Sequence, residues 1–223
     1  MKKLLVLLLL PGFLQAQTPT PCDLLIKNGK IIDGSGNSWY RGSLVINHGK
    51  IVSIFRSAAI SNEENKWQPT RIIDAQDKMV APGFIDVHTH IEGDEKKDPE
   101  AKSFIYDGVT TCITGNCGLA QLDVNRYYNF IDSLQMSINV TMLIGHNDIR
   151  RAVMGRANRD ATDQEQVEME QLVEKAMRDG AVGLSTGLIY IPGTFSKTPE
   201  IIGLAKKAAA FGGVYATHMR DEG

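Results

Sequence analysis

Downstream of Pro82-Gly83, short apolar runs rich in β-branched residues recur at 83–88, 109–115, 138–145, 181–186 and 212–218, and the segments between them carry helix signals. Strands that alternate with helices pair in parallel, because a crossover of a dozen or more residues is needed to return the chain to the same end of a sheet. No other feature narrows the fold so far. Asp98-Pro99-Glu100 reads as an N-cap followed by proline at the first helical position, and Asp123 to Leu134 as a second helix. The strongest helix signal runs from Thr162 to Asp179. Thr162 and Glu165 form a capping box. Met169, Leu172, Val173, Ala176 and Met177 then follow the i, i+3, i+4 spacing of one buried face. That methionine stripe reads as core packing rather than a cofactor box, and Gly180 ends the helix. Thr198-Pro199-Glu200 opens a further helix, closed by Gly212-Gly213. A closed parallel barrel needs eight strands. The expectation is an α/β chain, a TIM-type (β/α) barrel truncated after about five strands.

Residues 17–80 read differently, as a small all-β domain of composite-sandwich type ahead of the barrel at 81–223. Asn28-Gly29 carries the strongest short hairpin signal, and Asn47-His48-Gly49 repeats it. The stretch 58–70 reads as a polar loop between strands. Residues 1–16 read as a signal peptide rather than as fold: Lys2-Lys3, the apolar run Leu4 to Leu10, Pro11-Gly12 and small Ala16 at a cleavage position. That run falls far short of the ~18 apolar residues a membrane span needs. Cys22 lacks the small preceding residue a lipidated cysteine would want. Export, most simply to a bacterial periplasm, is the expectation, with no membrane association after cleavage.

Of 223 residues, 43% are hydrophobic and 22% charged, with a formal charge of −2. That balance exerts no long-range pull on nucleic acid or acidic membranes, so neither is an expected partner. Arg150, Arg151, Arg156 and Arg159 cluster and read as a solvated loop. Three cysteines, Cys22, Cys112 and Cys117, are too few for a disulfide framework. In an oxidising compartment a free thiol is a liability unless something occupies it, and a metal is one such occupant.

Strand side chains alternate faces, so Asp86, His88 and His90 in "DVHTH" point the same way. The C-terminal ends of parallel barrel strands build the active site. His88 and His90 fall at such an end, as do Cys117 in "TGNCG" and His218 in "YATHMR". Thiolate and imidazole together suit zinc, one ion or two. His146, in "LIGHND", marks a further strand end and reads equally as a ligand, an orienting partner or a substrate contact. Asp86 and Asp148 are candidates for holding a ligand imidazole in its tautomer. His48 sits in a turn and has no assigned role.

The stretches "APGFIDVHTH", "GVTTCITGNCG", "IGHNDIRRAVMG", "AVGLSTGLIYIPG" and "GGVYATHMRDE" resemble the amidohydrolase superfamily, and more closely its N-acyl-D-amino-acid deacylases, from about residue 23 onward. Many amidohydrolases bridge two metals with a carboxylated lysine, whereas these deacylases use a cysteine. The resemblance implies that Cys117 is the bridging or tight-site thiolate and His218 its neighbour on the tight zinc. It implies a second, weaker position at His88 and His90, and a contact from Tyr190 to the substrate carboxylate. The sequence departs from the family at "GNCGLAQ", where aromatic and small residues commonly follow the glycine. Zinc lowers the pKa of bound water towards ~7 and polarises a carbonyl, and the resulting hydroxide attacks an amide carbon. A carboxylate then carries the proton to the leaving amine. In the family that is an aspartate on the last strand, beyond residue 223, so no catalytic carboxylate is assigned among these residues and the fragment alone is expected to be inactive. The small-molecule substrate implied is an N-acyl-D-amino acid. A cyclic-amide hydrolase of the dihydroorotase or hydantoinase type is the alternative enzyme, against which Cys117 argues. A non-catalytic metal-binding barrel fragment is the alternative outside enzymes.

Overall fold

The computed structural model describes residues 18–56 and 63–223, so the expected signal peptide lies outside the described residues. The chain divides into two compact units, Met1–Pro82 and Gly83–Gly223.

The first unit holds β1 (Thr20–Ile31), β2 (Tyr40–Asn47), β3 (Lys50–Arg56), β4 (Trp67–Asp74) and β5 (Met79–Val80). Among the described residues these form one five-stranded sheet, in the order β3-β2-β1-β4 with β5 also on β1, rather than the expected sandwich. The reason is the length of β1. Its 12 residues pair antiparallel with β2 along one edge and parallel with β4 and then β5 along the other, so every strand joins the same sheet. Cys22, Leu25, Val45 and Phe55 form its buried cluster, with Trp67 packed against it. His48 and Gly49, with φ of 50° and 71°, make the expected two-residue turn between β2 and β3. Asn28-Gly29 does not turn the chain. It forms a bulge inside β1, where the pairing with β2 shifts between Ile26 and Gly29, and Asn28 donates to the Asp74 carboxylate at 3.1 Å. Trp67 opens a strand where a loop was expected.

The second unit runs β6 (Phe84–Asp86), α1 (Lys102–Tyr106), β7 (Val109–Thr114), α2 (Val124–Leu134), β8 (Asn139–Met142), β9 (Ile144–Gly145), α3 (His146–Met154), α4 (Asp163–Arg178), β10 (Gly183–Gly187), α5 (Thr198–Ala209) and β11 (Val214–His218). All strand pairs are parallel, in two sheets ordered β6-β7-β8 and β9-β10-β11. The third expected strand is therefore two pieces, broken at Leu143. Backbone bonds cross the break, from Leu143 N to Thr114 O at 2.9 Å and from Val182 N to Met142 O at 2.9 Å. Among the described residues the strands do not close into a barrel.

The helices cover this array with their apolar faces. Val124 and Ile131 of α2, Ile149 of α3, Met169 and Val173 of α4, and Leu204 of α5 pack on Met142, Ile144 and Leu184. Each such side chain contributes about 1.5–3 kcal/mol through burial. The capping box of α4 is complete, and Gly180, with φ of 105°, follows its end. Asp98-Pro99-Glu100 does not start α1. The helix begins at Lys102 behind a left-handed Ala101, whose amide donates to Asp98 O at 3.1 Å. The arginine cluster is also not a solvated loop throughout. Arg150 and Arg151 belong to α3, and Arg150 is wholly buried because Glu200 of α5 stands 3.4 Å from its Nε. Arg156 and Arg159 are exposed.

Candidate metal centre

β6 ends at Asp86, and His88, Thr89 and His90 follow in the bend beyond it. Thr89 turns inward: its amide and hydroxyl both donate to Ile113 O, at 3.2 and 2.9 Å. That ties the bend to β7 and leaves the two flanking histidines exposed on the other side. Asp86 accepts the His88 amide at 3.1 Å, so it caps the backbone and does not hold an imidazole.

Cys117 lies past the end of β7 in the turn Gly115-Asn116-Cys117-Gly118. Gly115, Cys117 and Gly118 have φ of 75°, 56° and 76°. For cysteine this left-handed conformation costs about 1–2 kcal/mol, so surrounding contacts must hold it. Asn116, 1% exposed, donates to Ile113 O at 2.9 Å. The Glu92 carboxylate accepts the Gly115 amide at 2.7 Å and the Thr114 hydroxyl.

These two loops bring three donor atoms together. Cys117 Sγ stands 3.6 Å from His88 Nε2 and 3.6 Å from His90 Nε2, and all three atoms lie within 4.8 Å of one another. A tetrahedral zinc, with Zn–S of about 2.3 Å and Zn–N of about 2.0–2.1 Å, requires an S···N separation of about 3.6 Å. Both sulfur–nitrogen separations therefore match such an ion, and three donors would leave its fourth position for a further ligand. Burial pushes the Cys117 thiol up, and the Glu92 charge adds to that. A cation between the two histidines would reverse this by favouring the thiolate.

The other expected site residues stand elsewhere. His218, at the end of β11, is outside the three-donor cluster. Its Nδ1 is 3.3 Å from the Tyr190 hydroxyl and its Nε2 is 2.7 Å from Glu222 Oε1, with the Tyr190 and His218 rings edge to face at 5.0 Å. His146 is wholly buried, its Nε2 2.8 Å from Glu200 Oε1, and makes a core contact. Asp148 accepts the Ala120 amide at 2.8 Å and pairs with Arg151, so it does not orient an imidazole. Glu92, Asn147 and Ser185 surround the Cys117 turn without having been singled out in the sequence. Their only local signal is adjacency to "HTH", to "GH" and to the glycine-flanked "STG" strand.

The amidohydrolase family pattern matches residues 71–215, more than half of the chain. A D-aminoacylase of Alcaligenes xylosoxydans xylosoxydans is 38% identical over 91% of this chain and 45% of its own length. An N-acyl-D-glutamate deacylase from the same organism is 32% identical, over 90% of this chain and 44% of its own. The crystal structure of N-acyl-D-glutamate deacylase from Bordetella bronchiseptica, complexed with zinc and a phosphonate mimic of the tetrahedral intermediate, superposes with a TM-score of 0.79 at 33% identity. That match covers 91% of this chain and 46% of the other. The chain thus spans about half the length of the curated relatives it matches. On the strength of the family match, the chain belongs to the amidohydrolase family.

Proposed function

We propose that the complete protein is a zinc-dependent deacylase, cleaving the amide bond of N-acyl-D-amino acids to a carboxylate and a free D-amino acid. The observation that carries this reading is the convergence of His88 Nε2, His90 Nε2 and Cys117 Sγ at 3.6 Å sulfur–nitrogen spacing. Relatives at 38% and 32% identity that are D-aminoacylase and N-acyl-D-glutamate deacylase support the substrate class. Two imidazoles and a thiolate would hold the ion and leave its fourth position for water; His218, assigned by resemblance to a tight site with Cys117, stands outside this cluster. Bound zinc supplies Lewis acidity towards the amide carbonyl and an acidified water. The Tyr190 hydroxyl is assigned to the substrate carboxylate. Arg220 braces the loop that carries it by donating to the carbonyls of Thr194 and Ser196. The proton shuttle is assigned by resemblance to an aspartate beyond residue 223.

In this reading β6, β7, the broken strand β8–β9, β10 and β11 are consecutive staves of a (β/α) barrel wall that follows a small β domain in the chain, and residues 1–16 direct export. A cyclic-amide hydrolase would call for lysine at the bridging position, where Cys117 stands. The test is hydrolysis of paired N-acetyl-D- and N-acetyl-L-amino acids by the complete protein, with release of free amine as the signal. D-selective turnover that a chelator abolishes and zinc restores is expected. Turnover of cyclic amides alone, or zinc binding with no turnover, would overturn the proposal.

A further inference from the structure

A ligand sulfur on a four-residue turn with three left-handed residues has no ladder of its own to hold it. The support for this turn comes from β10 and α3. Ser185, wholly buried in the middle of β10, donates its hydroxyl to Gly115 O at 2.5 Å and accepts from Gly118 N at 3.0 Å. A single oxygen therefore bridges the two ends of the turn. Asn147, in the first turn of α3 and also wholly buried, closes the other side. Its backbone amide donates to Gly118 O at 3.0 Å and its side-chain nitrogen to Gly187 O at 3.1 Å.

The fit between these parts leaves no slack. Gly187 packs on the turn so closely that a Cβ there would fall 2.0 Å from Cys117 O. Asn147 Oδ1 is buried with no hydrogen-bond partner among the described residues and presses on Gly118, where a Cβ would lie 2.6 Å from it. The next residue, Asp148, takes the Ala120 amide and so fixes the exit of the same loop. A buried amide oxygen left unpaired is costly, and here it is spent on contact with the backbone of the ligand turn.

We propose that Ser185 and Asn147 are positioning residues for the metal centre: together they hold the Gly115–Gly118 turn in the backbone conformation that aims Cys117 Sγ at His88 and His90. The proposal rests on the metal-centre reading given above. It differs from a purely structural role in one respect. A structural role lowers thermal stability and leaves metal affinity alone, whereas a positioning role lowers affinity beyond what lost stability explains.

The experiment uses the complete protein, with zinc affinity measured by chelator competition and the thiolate-to-cobalt charge-transfer band read after cobalt(II) substitution. Leu204→Ala, a core substitution in α5 with no hydrogen bond to the turn, serves as the control for lost stability. Ser185→Ala is expected to weaken zinc binding roughly 10- to 100-fold, the range for contacts that orient metal ligands, and to diminish the cobalt band. Leu204→Ala should change neither. If Ser185→Ala does not fold, Asn147→Ala is read by the same two signals. Affinity unchanged in the turn variants, or lowered equally by Leu204→Ala, would overturn the proposal. Cys117→Ala separates the two levels of inference: zinc affinity unchanged in that variant removes the metal-centre reading itself, whereas a loss there with none in Ser185→Ala removes only the positioning role.

Discussion

Two cysteines five residues apart have opposite fates. Cys112 is on β7, wholly buried against Ile91, Ala101 and Ile138. Cys117 is beyond the strand, partly exposed, on a left-handed residue facing two histidines. Strand alternation would put them on opposite faces, but Cys117 is not on the strand. The turn, rather than the pleat, decides where its sulfur points. Cys117→Ala should therefore reduce zinc content and activity together. Cys112→Ala should keep its zinc and lose about 1 kcal/mol, the worth of roughly one buried methylene-sized group. Metal analysis beside thermal melts checks both, and equal zinc in wild type and Cys117→Ala would remove the claim. Each of the three donors was legible as a residue at a strand end, but their grouping was not: the resemblance sets Cys117 with His218 and puts His88 and His90 at a second position, whereas the structure brings Cys117 to the two histidines. Ser185 was not legible. Its partners lie 67 and 70 residues away, and only the packing of neighbouring strand ends brings them together.

At the scale of elements, α4 shows how far local chemistry reaches and α3 where it stops. The capping box of α4 and its buried face are written in consecutive residues, and both form. Thr162→Ala should cost about 0.5–2 kcal/mol, measured by denaturant unfolding. The hydrogen-bonded Arg159 guanidinium, with help from Thr162, lowers the Glu165 carboxyl to about 2. A carboxyl depressed on folding stabilises above its unfolded pKa, and that contribution fades as pH falls from about 4.3 towards 2. Arg159→Ala should thus shift acid unfolding to higher pH, and an unchanged acid midpoint would count against this pairing. Helix α3 was hidden because "HNDIRRAVMG" looks polar. Its burial depends on Glu200, fifty residues away in α5, which stands 3.4 Å from Arg150 Nε and 2.8 Å from His146 Nε2. Removing one partner of a buried pair typically costs 3–5 kcal/mol. Glu200→Ala should lose stability in that range while the three ligand atoms stay in place, so a variant with ordinary stability would contradict the ion-pair account. The bulge at Asn28-Gly29 escaped for a similar reason: an Asn-Gly pair marks a turn only where the flanking strands lack other partners, and here β1 has three.

For the molecule as a whole, chain order is what makes a metal site possible. Consecutive parallel strands deliver their C-terminal ends to the same side, so the bend after β6 and the turn after β7 arrive as neighbours. An ion held by His88, His90 and Cys117 would tie together two loops whose ligands His90 and Cys117 stand 27 positions apart in the chain. Binding to the folded state only adds RT ln(1 + [L]/Kd), about 2.7 kcal/mol when free zinc is a hundred times Kd. For a cooperatively unfolding unit of about 150–250 residues that corresponds to roughly 5–10 °C in melting temperature. Chelation should lower the melting temperature by that amount, and the difference should vanish in Cys117→Ala. His88, His90 and Cys117 would bind zinc as neutral imidazoles and thiolate, so protons would compete with the ion, and the gap between zinc-loaded and chelated protein should narrow as pH falls. Trp39 and Trp67, the two tryptophans, both lie in the first unit, so calorimetry or far-ultraviolet circular dichroism is the appropriate signal for a site carried by the second. A melting temperature indifferent to chelator at neutral pH, or a zinc effect that grows on acidification, would mean that these three donors do not share an ion.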